Sequence, residues 1–472
     1  MGKRSISAHI VNSERAYPLK RKRDYATLMF LFLKALFSRE NKLPESILHH
    51  YLAGFDDKRY VFLNSARDFG TPQYFYDHTN LKLRIKKFKE SFSKNLSRFQ
   101  VFYAIKSNCF NGLVNDVVKS GIGLDASSGR ELSIALATDC KRILFTGPGK
   151  TDEELNLAFN NRDRVTLNID SFGELGRLSK LLKNSKRKNN PLVVGIRVRG
   201  LNKNGWNKFG IPINDLSFFL EKAVRISGII PEGIQFHSSW NMDPQQQVAM
   251  IKDLGKYLDK SLPRHLHAYL KFIDIGGGFW PEQGEFLHHN NTSIGRLSML
   301  LGADVKLKKN YYYHPACSID FFSRNIAEAL LSQPSPLRDL EVFMEPGRWL
   351  SNSSMHILLR VLEKKSQDII ITDGGINLLG WERPMNEFIP IINLTKNSSK
   401  EREAKIFGPL CTPDDVWGYS VFGIDISPGD ILLIPDQGAY TYSLSQIFIK
   451  PIARVIRYNG NKLEEIQKEK SK

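Results

Sequence analysis

Cysteine is scarce and scattered. Cys109, Cys140, Cys317 and Cys411 stand far apart with no C-x-x-C pair among them, which excludes a disulfide framework and a zinc knuckle and agrees with a reducing cytoplasm. Long apolar runs are missing too. The stretch Met29-Phe-Leu-Phe-Leu-Lys-Ala-Leu-Phe37 is short, carries Lys34 and follows a strongly basic segment, so it reads as an amphipathic helix and not as a membrane span or a signal peptide. Met1-Gly2 lacks the Ser or Thr that myristoylation needs at position six, where Ile6 stands. Acidic residues are the minority sign: 67 Lys and Arg against 49 Asp and Glu leave a net charge of +18. The basic clusters at Lys20–Arg23, Arg84–Lys89, Lys183–Lys188 and Lys306–Lys309 hold a single aromatic among them, Phe88, and make no stacking platform. They therefore read as solvated faces, and neither nucleic acid nor membrane is expected as a partner. The histidine pairs His265/His267 and His288-His289 have no carboxylate or thiolate at ligand spacing, so no metal is expected.

What is present is an ordinary globular composition, 42% hydrophobic and 25% charged over 472 residues, enough for two or three domains, one of them a barrel. Residues 1–48 form a basic extension, and 49–70 a segment joining the β domain. From 71 to 346 short apolar runs alternate with longer amphipathic ones: Val101–Ile105, Leu144–Thr146, Thr166–Ile169, Leu192–Val198, Gly233–His237, Phe272–Ile275 and Glu341–Met344. That alternation predicts an α/β fold built as a (β/α)8 barrel, with functional groups at the C-terminal ends of its strands. Residues 347–458 turn β-rich, with strands expected at Ile369–Thr372, Ala404–Phe407, Asp430–Ile434 and Ile447–Val455. They form a second domain, a β-sandwich or β-barrel. The charged tail 459–472 is expected to fray.

One run ends in a reactive residue. Val101-Phe-Tyr-Ala-Ile-Lys-Ser-Asn-Cys109 delivers Lys106 to the mouth of an apolar strand. An amine there can be desolvated, lose its proton and condense with an aldehyde as a Schiff base, whereas a surface lysine stays protonated and inert. Further motifs follow in order: Gly123-Leu-Asp-Ala-Ser-Ser128 with Glu131, Gly195-Ile-Arg-Val-Arg199, Phe236-His237, Asp274-Ile-Gly-Gly-Gly-Phe279, Glu345-Pro-Gly-Arg348, Asp373-Gly-Gly375, Gly408-Pro-Leu-Cys411 and Gly438-Ala-Tyr440. Each fragment alone has a bland reading as a turn, a cap or a strand exit. Together, from about residue 70 to 455, they resemble the fold type III pyridoxal-phosphate decarboxylases, the ornithine and diaminopimelate decarboxylase family.

The resemblance implies an alanine racemase-like barrel, pyridoxal 5′-phosphate as cofactor, a small amino-acid substrate and a homodimer with composite active sites. It implies Lys106 as the cofactor lysine, Glu345 as the carboxylate on the ring nitrogen and His237 as the residue stacked on the ring. Gly276, Gly277, Gly278, Arg348 and Tyr440 match phosphate contacts, and Asp125, Glu131 and Arg197 match positions around the lysine and ring. Cys411 matches the general acid that returns a proton to Cα, with Asp414, Asp415 and Tyr440 beside the substrate. Trp381-Glu-Arg-Pro384 resembles a segment whose arginine, here Arg383, grips a distal carboxylate. Two departures bear on substrate. The family's His-x-Gly-Ser is His237-Ser-Ser-Trp240 here, which displaces a phosphate-contacting serine and leaves Ser238 or Ser239 to substitute. Thr412 stands where a carboxylate for the distal amine belongs, and Glu387 where diaminopimelate enzymes carry a tyrosine. This combination resembles the branch that decarboxylates citryl-conjugated diamino acids in carboxylate-siderophore assembly, for which a basic pocket would suit an anionic substrate. The alternatives are a diaminopimelate or ornithine/lysine decarboxylase, an amino-acid racemase, and a catalytically silent regulatory homologue.

Overall fold

A computed structural model describes residues 41–183, 190–200, 208–289, 311–380 and 387–469, together with Met29, Phe32, Leu33, Thr292 and Gly295. The expected amphipathic helix at 29–37, the basic extension before residue 41, and Trp381 to Pro384 with Arg383 fall wholly or largely outside these residues.

Eight strands pair in parallel in chain order: β1 Phe99–Ala104, β2 Gly123–Ala126, β3 Ile143–Phe145, β4 Val165–Ile169, β5 Leu192–Arg199, β6 Ile229–Gln235, β7 Phe272–Asp274 and β8 Glu341–Met344. β8 pairs in turn with β1 and closes the ring. The strands are short and almost wholly buried because helices cover the outside while side chains fill the inside. Phe102, Leu144, Phe272 and Phe343 make the inner plug, with the Phe272 and Phe343 rings stacked at 4.4 Å. Gly233 is small to admit that plug, since a Cβ there would meet the Phe272 ring at 2.0 Å. The phenylalanine floor closes the barrel interior below and leaves the C-terminal strand ends as the open face. Seven of the eight strands coincide with expected runs. The eighth, β2, carries the Gly-Leu-Asp-Ala motif.

A second sheet of nine strands follows a different course. Met355–Ser366 pairs with both Ile369–Thr372 and Ile431–Ile434, so that six strands from 355 to 434 close a smaller β ring. Three boundaries differ from expectation. Gln73–Asp77, expected to open the barrel at residue 71, instead lies in this second sheet, antiparallel to Met355–Ser366 and parallel to Arg454–Tyr458. All five of its residues are buried between those neighbours. The expected strand at 447–455 is displaced to Arg454–Tyr458. The tail does not fray throughout: Leu463–Gln467 pairs antiparallel to Arg454–Tyr458, and its acids meet arginines of that strand, Arg454 with Glu465 at 3.5 Å and Arg457 with Glu464 at 3.6 Å. Opposite charges across one strand pair turn a charged tail into an edge.

Helix Glu45–Ala53 packs Leu48 and Leu52 onto this β domain together with Phe286, which belongs to a hairpin of Glu285–His288 and Tyr311–His314. No helix among the described residues is long and apolar enough to cross a membrane. No three His, Cys, Asp or Glu side chains among them converge as a metal site.

Candidate active site

Strand β1 ends at Ala104, and one tight turn, Ile105–Ser107, carries Lys106 over the barrel mouth. Its Nζ lies 3.3 Å from Asp125 Oδ2 and 3.4 Å from Ser127 Oγ. Asp125 is free to face the lysine because Ser128, not Asp125, caps the next helix, accepting from Glu131 N–H at 3.3 Å. The Glu131 carboxylate turns back onto Ser127 N–H at 2.8 Å, so the motif makes a capped helix and an inward acid from adjacent residues.

Around this pair stand the other strand ends. Glu345, just after β8, is buried, and its Oε1 accepts from Thr146 Oγ1 at 3.4 Å and from Gln235 Nε2 at 3.3 Å. Asn168 Nδ2 donates to Thr146 Oγ1 and to Asp274 Oδ2, each at 3.2 Å. Thr146, Asn168, Gln235 and Asp274 were not anticipated as site residues. Their signal was a polar residue at or near the end of an apolar strand, which becomes meaningful only once four strands meet.

His237 accepts from Gly277 N–H through Nδ1 at 3.2 Å, and its Nε2 faces Ser239 Oγ at 3.1 Å. Burial lowers its pKa, so the ring is neutral, with its proton on Nε2. Glu345 Oε2, 3.5 Å from Nδ1, is then a buried oxygen that no N–H or hydroxyl among the described residues reaches. Asp125 Oδ1 is a second. Buried orphan acceptors cost stability unless a ligand supplies the donor.

The electrostatics correct one expectation. Burial disfavours the Lys106 ammonium, but Asp125, Glu345, Tyr440 and Glu131 outweigh it and hold the pKa above the ordinary lysine range. The acids, not desolvation, decide the state of this amine. Asp125 is pushed up to about 7 by burial and by Glu345. Burial and Glu345 also push Asp274 well above the usual carboxylate range. A carboxyl raised on folding binds its proton more tightly in the folded chain, so its contribution to stability is lost as pH rises through the folded value. Cofactor-free protein is therefore expected to lose roughly 2 kcal/mol between pH 5 and 8, and Asp125→Asn to flatten that slope. Chemical denaturation across this pH range checks it; an unchanged slope in the variant would remove Asp125 as the cause.

A family model of the pyridoxal binding domain of pyridoxal-dependent decarboxylases matches residues 81–352, which span the barrel with Lys106, Asp125, His237, Asp274 and Glu345. The chain belongs to that family. It is 29% identical to the diaminopimelate decarboxylase of Campylobacter jejuni over 80% of this chain and 88% of the relative. It is 25% identical to the 2-[(L-alanin-3-ylcarbamoyl)methyl]-2-hydroxybutanedioate decarboxylase of Staphylococcus aureus over 79% and 90%. The fold matches the crystal structure of diaminopimelate decarboxylase from Helicobacter pylori, complexed with L-lysine, at a TM-score of 0.67, covering 85% of this chain and 94% of that one at 22% identity. The enzyme is a pyridoxal-phosphate-dependent amino-acid decarboxylase of the diaminopimelate/ornithine type.

The decarboxylase's remaining expected residues fall into three groups. Arg348 joins the site region, its guanidinium 4.4 Å over the Trp280 ring and 5.0 Å over that of Tyr440. Tyr440 N–H donates to Ser107 O at 2.7 Å, which ties it to the lysine turn. Arg197 takes its bland role as well: it lies 3.4 Å from Asp170 and packs on Phe209 at 4.5 Å. Of the three glycines, Gly276 N–H donates to Asp274 Oδ1 at 2.9 Å and Gly277 N–H to His237 Nδ1. Two of the three amides expected on a phosphate are therefore used internally, and Gly278 N–H has no acceptor among the described residues. Cys411 is exposed on the Gly408–Asp415 loop and makes no hydrogen bond or ion pair with the lysine cluster among the described residues. Asp414, beside it, is exposed. Asp415 is corrected: it is buried, and its two oxygens accept from Ile376 N–H at 2.8 Å and Leu410 N–H at 2.6 Å, so it shapes the loop instead of meeting substrate.

Proposed function

We propose that this decarboxylase removes the α-carboxylate of a diamino acid of the diaminopimelate type, in a homodimer whose sites are composite. The carrying observation is the lysine–acid cluster at the strand ends, Lys106 against Asp125 with the orphaned Glu345 Oε2 beyond. Pyridoxal phosphate, when bound, supplies the electron sink for the charge left by departing carbon dioxide. The residues present suit it. Lys106 would hold its aldehyde, with Asp125 as the contact through which the ammonium proton leaves. Glu345 would keep the ring nitrogen protonated. Lys106 favours its charge, and burial together with Glu345 itself pushes the neighbouring Asp274 towards its neutral form. Gly278 N–H, Arg348 and Tyr440 would face the phosphate, and neutral His237 the ring. Cys411 and Asp414 are exposed and bond to none of the lysine cluster among the described residues, and in this reading a second copy brings them to the site. Glu345→Gln should lower kcat about 100-fold while the lysine still captures cofactor, the size expected when one preorganised charge is removed; an unchanged kcat would remove Glu345 from this role.

The diaminopimelate reading is supported by the Campylobacter jejuni relative, 29% identical over 80% of this chain. A citryl-conjugate reading is supported by Thr412, where a carboxylate for the distal amine belongs, and by the Staphylococcus aureus relative. Carbon dioxide release from meso-diaminopimelate, ornithine, lysine, arginine and citryl-diamino acids separates them. Fastest turnover of diaminopimelate is expected, turnover of the conjugate alone would reverse the substrate assignment, and no turnover of any would favour the silent homologue.

A further inference from the structure

Asn168 lies near the end of β4 and is buried, in a parallel barrel whose strands are otherwise near-continuous apolar runs. Both ends of its amide are seated. Oδ1 rests against β5, where a Cβ on Gly195 would lie 2.1 Å from it, so the glycine that opens Gly195-Ile-Arg-Val-Arg199 is the slot for this side chain. Nδ2 donates to Thr146 Oγ1 and to Asp274 Oδ2, each at 3.2 Å. Turned over, the amide would strand its two N–H bonds against Gly195, and buried donors without acceptors are rarer than buried acceptors without donors. The backbone is held as well, by the Lys150 ammonium on Asn168 O at 2.8 Å. Donor order is then fixed along the chain of contacts. An amide nitrogen only donates, so Thr146 Oγ1 accepts from Asn168, and its own proton remains for Glu345 Oε1 at 3.4 Å. Gln235 Nε2 donates to the same oxygen at 3.3 Å. Both contacts on Oε1 are long, as in catalytic sites whose hydrogen bonds tighten on loading. Oε1 thus meets two donors, whereas Oε2 has no hydrogen-bond partner among the described residues.

We propose that Asn168 is a positioning residue for Glu345: it turns the Thr146 hydroxyl onto Oε1, which keeps that oxygen an acceptor and leaves Oε2 as the one offered to the ring nitrogen of the cofactor. This rests on the pyridoxal-phosphate reading above and adds a residue that acts on Glu345 only through Thr146. Without the hydroxyl the glutamate charge is less well stabilised, and the proton between glutamate and ring nitrogen shifts towards the glutamate.

The test loads wild type, Asn168→Ala, Thr146→Val, Thr146→Ser and the double variant Asn168→Ala/Thr146→Val with pyridoxal phosphate carrying heavy nitrogen in its ring. NMR follows the protonation of that nitrogen from about pH 6 to 9, with kcat and KM alongside. Asn168→Ala and Thr146→Val should each lose the ring proton about one pH unit below wild type and lower kcat about tenfold with little change in KM, the scale of one hydrogen bond to a charge. Thr146→Ser, which keeps the hydroxyl, should match wild type. The double variant should match Thr146→Val alone, because the two side chains act in series. A ring-nitrogen titration unmoved in Asn168→Ala would overturn the proposal, and so would additive losses in the double variant, which would deny the route through Thr146. Should Asn168→Ala not fold, Asn168→Leu, of nearly the same shape as asparagine, takes its place in every comparison. A wild type that binds no pyridoxal phosphate would sink the cofactor reading itself, a result distinct from bound cofactor whose titration ignores Asn168.

Discussion

Lys106→Ala is expected to bind pyridoxal phosphate without covalent capture and to lose about four orders of magnitude in kcat, the scale of a removed covalent catalyst. The wild type, treated with borohydride, should carry a cofactor that survives denaturation; the variant should carry none. A second consequence separates this lysine from an ordinary one. Asp125 and Glu345 are buried beside it, and its ammonium lowers the pKa of both. Without it both values rise, so the cofactor-free variant should lose stability with rising pH more steeply than the wild type. Mass spectrometry of the reduced protein and denaturation at pH 5 and 8 check the two halves. Retained covalent capture in the variant would move the cofactor lysine elsewhere in the chain.

Lys150→Met should destabilise the protein by about 3–5 kcal/mol without touching any group assigned to the chemistry. Lys150 Nζ donates to Glu174 Oε1 and to Asn168 O, both at 2.8 Å, and both side chains of the pair are all but excluded from water. Burial lowers the pKa of the lysine and raises that of the glutamate. Removing one partner leaves the other charge buried and alone, the costly half of an ion pair, and frees the carbonyl of Asn168, whose side chain braces Asp274. Replacing both, Lys150→Met with Glu174→Leu, should recover most of the loss, because a paired charge and a well-packed apolar pair differ little in the interior. Denaturant titration of the three variants reads this directly. A single variant as stable as wild type would show that Glu174 reaches water.

Both predictions concern residues that the chain exposes very differently to inspection. Lys106 is legible because an apolar β run ending in Lys-Ser-Asn is a local pattern. Lys150 lies in Gly147-Pro-Gly-Lys150, which reads as a turn, and its partner is a helix away. The same contrast separates Glu345, at the end of a clear strand, from Asn168, Thr146 and Gln235, single polar residues that only the barrel closure brings together. Strand β2 was missed as a strand because four residues opening on glycine carry little propensity; parallel partners on both sides make it one.

Local pattern by itself determined the alternating strands and helices, the open end at which their polar residues gather, and the lysine, glutamate, histidine and glycine motifs that mark the family, since each depends on periodicity or on neighbours a few residues away. Tertiary structure alone decided that Gln73–Asp77 belongs to the second sheet, that Asp415 binds backbone, and that acids set the charge on Lys106. Each of these depends on groups distant in sequence that share low-dielectric space, where one charge or one unpaired amide changes the state of its neighbour.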